Sequence, residues 1–143
     1  MTIRLATPAE VAIIKRNAEK VREEASMGYL KDSAYADDLS SFENSFYLVA
    51  VEHGGLQGWA LVGDTFDFYL GQSTGIILEL YVFKPFRKKG VGEKLMKSSI
   101  QYFRNRGVNR IQLNVFAGNP AKRLYQKLGF KEISTFMELR NPN

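Results

Sequence analysis

The apolar positions of this chain change period several times, and each change predicts an element. "TIRLAT" alternates in the manner of a short strand. The "TPAE" that follows has the chemistry of a helix start, with Thr7 as N-cap, Pro8 at the first helical position and Glu10 completing a capping box. Val11, Ile14, Ala18 and Val21 then recur at helical spacing, which predicts a helix over about residues 8–24. Residues 25–45 are polar and acidic, studded with Tyr29, Tyr35 and Phe42, the pattern of a loop with a short second helix. "FYLVAVEHGGLQGWALVGDT" is two apolar runs around His53, Gly54 and Gly55. This is a β-hairpin signal in which the glycines supply positive φ and His53 is a turn residue. "FDFYLGQSTG" reads as a loop or strand end, and "IILELYVF" as a continuously β-rich, buried central strand.

Beyond it, Leu95, Met96, Ile100 and Phe103 fall on one face of a helix that starts around Gly90 to Gly92, with Gly107 placed to cap its C-terminus. "NRIQLNVF" is another strand. Asn119 and Pro120 open a last helix as N-cap and first residue, Leu124 and Leu128 form its inner face, and Gly129 ends it. "FKEISTFMEL" closes the chain as a strand. The order β-α-α-β-β-β-α-β-α-β belongs to the α/β (α+β) class. With 143 residues and no repeat, linker or low-complexity segment, a single domain over 1–143 is expected.

Composition narrows the chemistry. Hydrophobic residues make up 45% of the chain with only four prolines, as in a globular protein. No segment approaches the roughly 18 continuous apolar residues of a membrane span, and no basic stretch precedes an apolar one at the start, so a cytoplasmic location is expected. The absence of cysteine excludes disulfides, thiolate metal sites and a cysteine nucleophile. One histidine, His53, leaves little for a zinc site or a Ser-His-Asp triad, and no metal is expected.

The net charge of +5 is unevenly spread: residues 1–55 hold nine acids against six bases, whereas residues 82–131 hold thirteen bases against Glu93 alone. Such a block favours an anionic partner. Its densest part is the turn of "YVFKPFRKKGVGEKLM", where Arg87, Lys88, Lys89, Gly90 and Gly92 join a strand to a helix. A glycine-containing turn into a helix N-terminus presents free backbone N–H groups and the positive end of the helix dipole. Gly90 and Gly92 leave room for close approach, and Arg87 offers a fork-shaped donor for phosphate oxygens. The spacing is not that of G-x-x-x-x-G-K-[ST], nor of G-x-G-x-x-G, since Leu95 stands where a third glycine belongs. The turn is therefore expected to cradle a pyrophosphate or similar group.

"LYVFKPFRKKGVGEKLM" closely resembles the acetyl-CoA-binding motif of the GNAT superfamily of N-acetyltransferases, V-x-x-x-x-R/Q-x-x-G-x-G/A, matched by Val82, Arg87, Gly90 and Gly92. About thirty residues later "NPAKRLYQKLGF" resembles that family's second motif at Asn119, Ala121, Leu124, Tyr125, Gly129 and Phe130. Asn119 and Ala121 stand one residue closer than the family's usual N-x-x-A-x-x-x-Y, while the alanine-to-tyrosine interval is intact. Tyr125 thus carries over directly, and Asn119 has helix capping as its alternative. Pro85 falls one position later than the family's frequent strand-end proline.

The resemblance implies a mixed, mostly antiparallel sheet flanked by about four helices, and acetyl-CoA as cofactor. It implies that the backbone from Arg87 through Lys88, Lys89, Gly90 and Val91 to Gly92 binds the pyrophosphate. The pantetheine arm would lie on main chain at Leu80, Tyr81 and Val82, with Lys88, Lys89 and Lys122 available to the 3'-phosphate and Asn119 nearby. It further implies direct attack of an amine on the thioester, the Val82 N–H as oxyanion donor and Tyr125 as acid to the leaving thiolate, with a half-buried aromatic on an amphipathic helix as the alternative for Tyr125. Glu79, the one acid in an apolar strand, stands as base or substrate-positioning residue, with a structural hydrogen bond or ion pair as its alternative.

The expected acceptor is a small-molecule or peptide amine. A cationic amine such as a polyamine would suit Glu23, Glu24, Asp32, Asp37 and Asp38, and residues 22–45 and 64–74 would shape that side. A non-catalytic acyl-CoA sensor is the alternative. Nucleic-acid binding by the basic block lacks any recognised motif, no membrane partner is expected, and pairing of two subunits through an edge strand or exposed aromatic stays open.

Overall fold

The computed structural model describes residues 1–31 and 44–142. One strand, two helices and then three strands lead from the N-terminus: β1 (Thr2–Leu5), α1 (Pro8–Arg16), α2 (Ala18–Ala25), β2 (Phe46–Glu52), β3 (Gly55–Asp67) and β4 (Gln72–Val82). A 3-10 turn over Lys84–Phe86 precedes α3 (Val91–Asn105), β5 (Ile111–Leu113) and α4 (Ala121–Lys127). The sheet has the order β1-β2-β3-β4-β5, antiparallel except where β5 pairs parallel to β4. This is the mixed, mostly antiparallel sheet with four helices that the sequence implied.

The period-2 pattern of the central strands sorts side chains onto two faces. Tyr47, Val49, Val51, Trp59, Leu61 and Tyr81 pack with Ile14 of α1 and Val21 of α2. Ala50, Ala60, Val62 and Ile77 pack on the other face with Val91, Leu95, Met96 and Phe103 of α3. Gly58 is obligatory where β3 meets the end of β4, because a Cβ there would stand 2.6 Å from the Tyr81 carbonyl oxygen.

Three expectations are corrected. The single helix over 8–24 is two, broken at Asn17, whose Nδ2 donates to the Ile13 carbonyl at 2.8 Å. A short polar side chain that bonds its own backbone in this way competes with helix continuation. The closing strand "FKEISTFMEL" is absent as an element: residues 130–142 have strand composition, but no strand lies beside them among the described residues. Strand propensity needs a partner to become a strand. β5 is also far shorter than "NRIQLNVF", since it pairs only at Ile111–Leu113. By contrast, "FDFYLGQSTG" is mostly strand, the β3–β4 hairpin turning over residues 68–71. The short helix expected within 25–45 falls largely on residues 32–43, outside the described residues, as do Tyr35, Phe42, Asp32, Asp37 and Asp38.

The expected N-terminal capping box is formed: Thr7 Oγ1 accepts from the Glu10 N–H at 3.2 Å, and Glu10 Oε1 accepts from the Thr7 N–H at 2.9 Å. Arg4 adds two bonds to the same carboxylate, at 2.7 and 3.0 Å. With Arg4 as the main cause, the Glu10 pKa falls to about 2 from 4.5. A depressed carboxyl stabilises the native state fully above its ordinary pKa and loses that contribution as pH falls through the native value. Glu10→Gln should therefore cost about 1 kcal/mol at neutral pH. In urea titrations the variant and the parent should converge near pH 2.

Candidate active site

β4 is paired with β3 along its whole length but with β5 only from Gly75 to Ile77, so the two strands part after Ile77. Among the described residues no strand lies on that edge of β4 from Leu78 to Val82. The direction of the freed groups follows from the ladder. The Phe83 N–H donates to the Gln57 carbonyl at 2.9 Å, toward β3. Successive backbone groups alternate sides along a strand. Tyr81 therefore also faces β3, while the N–H groups of Leu80 and Val82 face the open edge.

The same strand carries a bulge. Leu61 is opposite Glu79 while Val62 is opposite Ile77, which leaves Leu78 as the extra residue. Strict alternation from Ile77 would put Glu79 and Tyr81 into the α3 core; the bulge shifts the phase by one residue. Ile77 stays on the α3 face, and Tyr81 joins Trp59 and Leu61 on the α2 face.

Under α2 this produces a connected polar set. The Trp59 indole N–H donates to Glu79 Oε1 at 2.6 Å. Burial raises the Glu79 pKa, with the Trp59 bond and the Arg22 charge acting in the opposite direction. Arg22 Nε is itself buried without a hydrogen-bond partner. Glu24 accepts from Arg87 Nη2 at 2.8 Å and from the Tyr81 hydroxyl at 3.4 Å. Trp59, Tyr81 and Phe83 stack beneath with ring centroids 5.0–5.8 Å apart.

After β4 comes the glycine turn. Lys88 at φ 63° and Gly90 at φ 82° are both left-handed, and Gly90 is the N-cap of α3 with no side chain capping the helix. The first intrahelical bond is Lys94 N–H to the Gly90 carbonyl at 3.1 Å, so the amides of Val91, Gly92 and Glu93 precede the ladder. A Cβ at Gly90 would meet nothing within 4 Å, so open space surrounds the turn. Lys88 and Lys89 are exposed. Arg87 is more committed than the sequence suggested. Besides Glu24, its Nε donates to the Val82 carbonyl at 2.8 Å and its guanidinium lies 5.2 Å over the Tyr81 ring.

α4 flanks the open edge. A Cβ at Gly92 would come within 3.6–3.8 Å of Leu124, Leu80 and Val82 side chains, which puts the helix beside the end of β4. Tyr125, the next residue, is half-buried against the α3-side core and the Phe130 ring. Its hydroxyl has no hydrogen-bond partner among the described residues, and burial raises its pKa. Asn119 is used internally, its Nδ2 donating to the Ala25 carbonyl and its Oδ1 accepting from the Ala121 N–H, both at 2.9 Å. The N-cap of α4 is Pro120 and not the expected Asn119, which bonds the helix's first amide from one position earlier and ties α4 to α2. Lys122 pairs with Glu132.

The structure places Glu79, Tyr81 and Val82 on the part of β4 that has lost β5, the glycine turn at its end and Tyr125 on the helix beside it; the sequence reading did not single out Arg22, Trp59 or the Glu24–Arg87 bond. A surface recess of about 400 Å³ lined by Gln72, Ser73, Gly107, Val108, Asn109 and Arg110 lies elsewhere; it contains none of the expected catalytic or cofactor residues, and only Gln72 and Ser73 belong to the 64–74 segment expected on the acceptor side.

The sequence profile of the acetyltransferase (GNAT) family matches residues 13–130. The chain belongs to that family. The uncharacterized N-acetyltransferase YycN of Bacillus subtilis (strain 168) is 31% identical over 67 residues, which are 46% of this chain and 43% of that protein. The match thus spans less than half the length of that relative. A putative acetyl transferase from Pyrococcus furiosus has a TM-score of 0.80 at 22% identity, covering 98% of this chain and 99% of that one. An aminoglycoside acetyltransferase from an uncultured soil metagenomic sample gives 0.68 at 23% identity, covering 99% and 98%. Among the described residues no helix is long and apolar enough to cross a membrane.

Carboxyl-carbon NMR should find Glu79 titrating above the ordinary 4.5. Trp59→Phe removes the donor that stabilises the anion and should move that titration further upward. A shift downward would contradict the bond's assigned effect.

Proposed function

We propose that this chain transfers the acetyl group of acetyl-CoA to a primary amine by direct attack in a ternary complex. The observation that carries the reading is the unpaired edge of β4, with the Leu80 and Val82 amides directed into it and the unpartnered Tyr125 hydroxyl on the helix alongside. Edge amides suit an extended pantetheine arm, and the open left-handed turn at Lys88–Gly92 suits a pyrophosphate. When bound, acetyl-CoA supplies the thioester to be attacked.

Four groups of the chain then have distinct tasks. The turn amides hold the diphosphate, with Lys88 and Lys89 free to meet further phosphate charge. Lys122 and Asn119 can join the cofactor only by exchanging present partners. Arg87 supports the turn by fixing the end of β4 to α2, and its Nη1 can still face the phosphate. The Val82 N–H donates to the thioester carbonyl oxygen as negative charge builds on it, a contribution of roughly 3 kcal/mol in comparable oxyanion sites.

Proton traffic falls to Glu79 and Tyr125. A carboxylate whose pKa is raised by burial is a stronger base than an exposed one, and Glu79 would take the proton of the incoming ammonium directly or through water. Tyr125, kept protonated by burial, would give its proton to the departing thiolate. The acceptor would then sit on the α2 face near Glu79 and Arg22. A basic amine is favoured there by Glu79 against the opposing charge of Arg22, while Glu24 is already engaged by Arg87.

Calorimetry with acetyl-CoA and thiol release in an amine screen test this reading. Tyr125→Phe should lower kcat by about a hundredfold or more with acetyl-CoA affinity nearly unchanged. Gly90→Val, strained by the positive φ and filling the turn, should abolish cofactor binding while far-UV circular dichroism is preserved. Binding that survives without thiol release for any amine would instead favour an acyl-CoA sensor.

A further inference from the structure

Arg22 has no task in the acetyl transfer, yet it lies on the acceptor side beside Glu79. Its Nε is closed off from solvent without a hydrogen-bond partner, the only side-chain nitrogen or oxygen in that condition among the described residues. A buried donor left unpaired is destabilising. The partners within reach of the sequence are not taken. Glu19, Glu23 and Glu24 share α2 with Arg22, but among the described residues no ion pair joins it to any of them, and Glu24 is held by Arg87 at 2.8 Å. No ring takes the guanidinium either. Trp59 and Tyr81 belong to the same face, and the cation over Tyr81 is again Arg87.

Glu79 is near enough for the Arg22 charge to act on it, and still no hydrogen bond or ion pair joins the two. Its Oε1 is bonded to Trp59 at 2.6 Å, while Oε2 has no partner among the described residues. Oε2 and the two Nη atoms of Arg22 therefore keep contact with solvent, since none of them is closed off as Nε is. Opposite charges free to approach in a half-buried setting would pair. Here packing keeps them apart: the indole fixes the carboxylate, and burial of Nε fixes the stem of the guanidinium. A carboxylate and a guanidinium held near each other and unjoined are the complement of a molecule that carries one charge of each sign.

We propose that Arg22 is the specificity residue for the acceptor and binds a carboxylate on it, so that the substrate is a small zwitterion of the amino-acid type with its amino group at Glu79. The inference rests on the acetyl-transfer reading for the task of Glu79, and adds the charge at the acceptor's other end. The fork of the two Nη atoms suits the two oxygens of a carboxylate. Arg22 is the one base whose charge acts on Glu79, and a single fork matches the single charge of a carboxylate better than the double charge of a phosphate. A polyamine fits less well. It brings no anionic group, and its second ammonium would meet Arg22 as a like charge.

Binding and turnover can be read separately. Trp59 is the chain's only tryptophan and donates to Glu79, so its fluorescence in protein saturated with coenzyme A reports a ligand at this site without reaction. The probes are the free α-, β- and γ-amino acids, each beside its carboxamide, with spermidine as the purely cationic control. At least one acid should bind saturably and roughly tenfold or more tighter than its amide, and thiol release from acetyl-CoA should show the same preference in kcat/KM. Arg22→Gln should bring that acid-to-amide ratio near one, and Arg22→Lys should restore part of it. No saturable response to any acid overturns the proposal, as does a preference that survives Arg22→Gln. Thiol release that favours amides or spermidine would overturn it while leaving the acetyl-transfer reading intact. Acid-selective binding that needs Arg22 but releases no thiol would do the reverse, upholding the carboxylate site and removing the transfer.

Discussion

The acetyl-transfer reading of this protein depends on where β4 loses its neighbour. A sheet normally satisfies both edges of a central strand, and the parting of β4 from β5 after Ile77 leaves the second edge of its last residues unpaired. Those amides are polar groups at a half-buried position, and they stay inexpensive only while water or a ligand reaches them. The opening is held apart on both sides. α4 packs Leu124 toward Leu80 and Val82, and Asn119 fastens the start of α4 to the end of α2. The parting is therefore built by packing and is no fraying of a strand end.

The bulge at Leu78 makes this edge usable for chemistry. One inserted residue lets a single strand present Leu80 and Val82 to the α3 core and Glu79 and Tyr81 to α2. A carboxylate, a donor indole and an unpartnered guanidinium edge then share one face with the open amides immediately alongside. Arg87 joins the halves: it accepts no proton and moves no charge, but it bridges the Val82 carbonyl and Glu24. A change at α2 therefore reaches the end of β4 and the turn after it through two hydrogen bonds.

What was legible in the sequence follows the range of the interactions. The capping box, the His53–Gly54 turn, the Gly90 turn and the α3 face are fixed by residues a few positions apart, and each is where its pattern put it. The Glu79 environment is not local: Arg22 and Trp59 lie 57 and 20 positions before it, and no periodicity announces which will meet. The bulge hides because "IILELYVF" is apolar on both faces, so a phase slip changes no pattern. Asn17 hides because one asparagine within a helical period is ordinarily tolerated. The closing strand was legible as composition and still absent as structure, since alternation states what a segment can pair with and not whether a partner lies beside it.

The basic block shows the same difference between composition and site. Thirteen bases against one acid over residues 82–131 would suggest a surface for a long polyanion. In the fold four of those thirteen bases are paired with acids among the described residues. Glu93 takes Lys97 and Lys127, Glu132 takes Lys122, and Glu24 takes Arg87. Exposed pairs of this kind contribute little to stability, but each neutralises a cation that phosphate would otherwise have to itself. At the turn the order reverses. Lys88 and Lys89 are exposed, no ion pair claims them among the described residues, and they stand next to the uncapped amides of α3. Cations beside uncapped helix amides are suited to a compact anion of a few phosphates held at a single point.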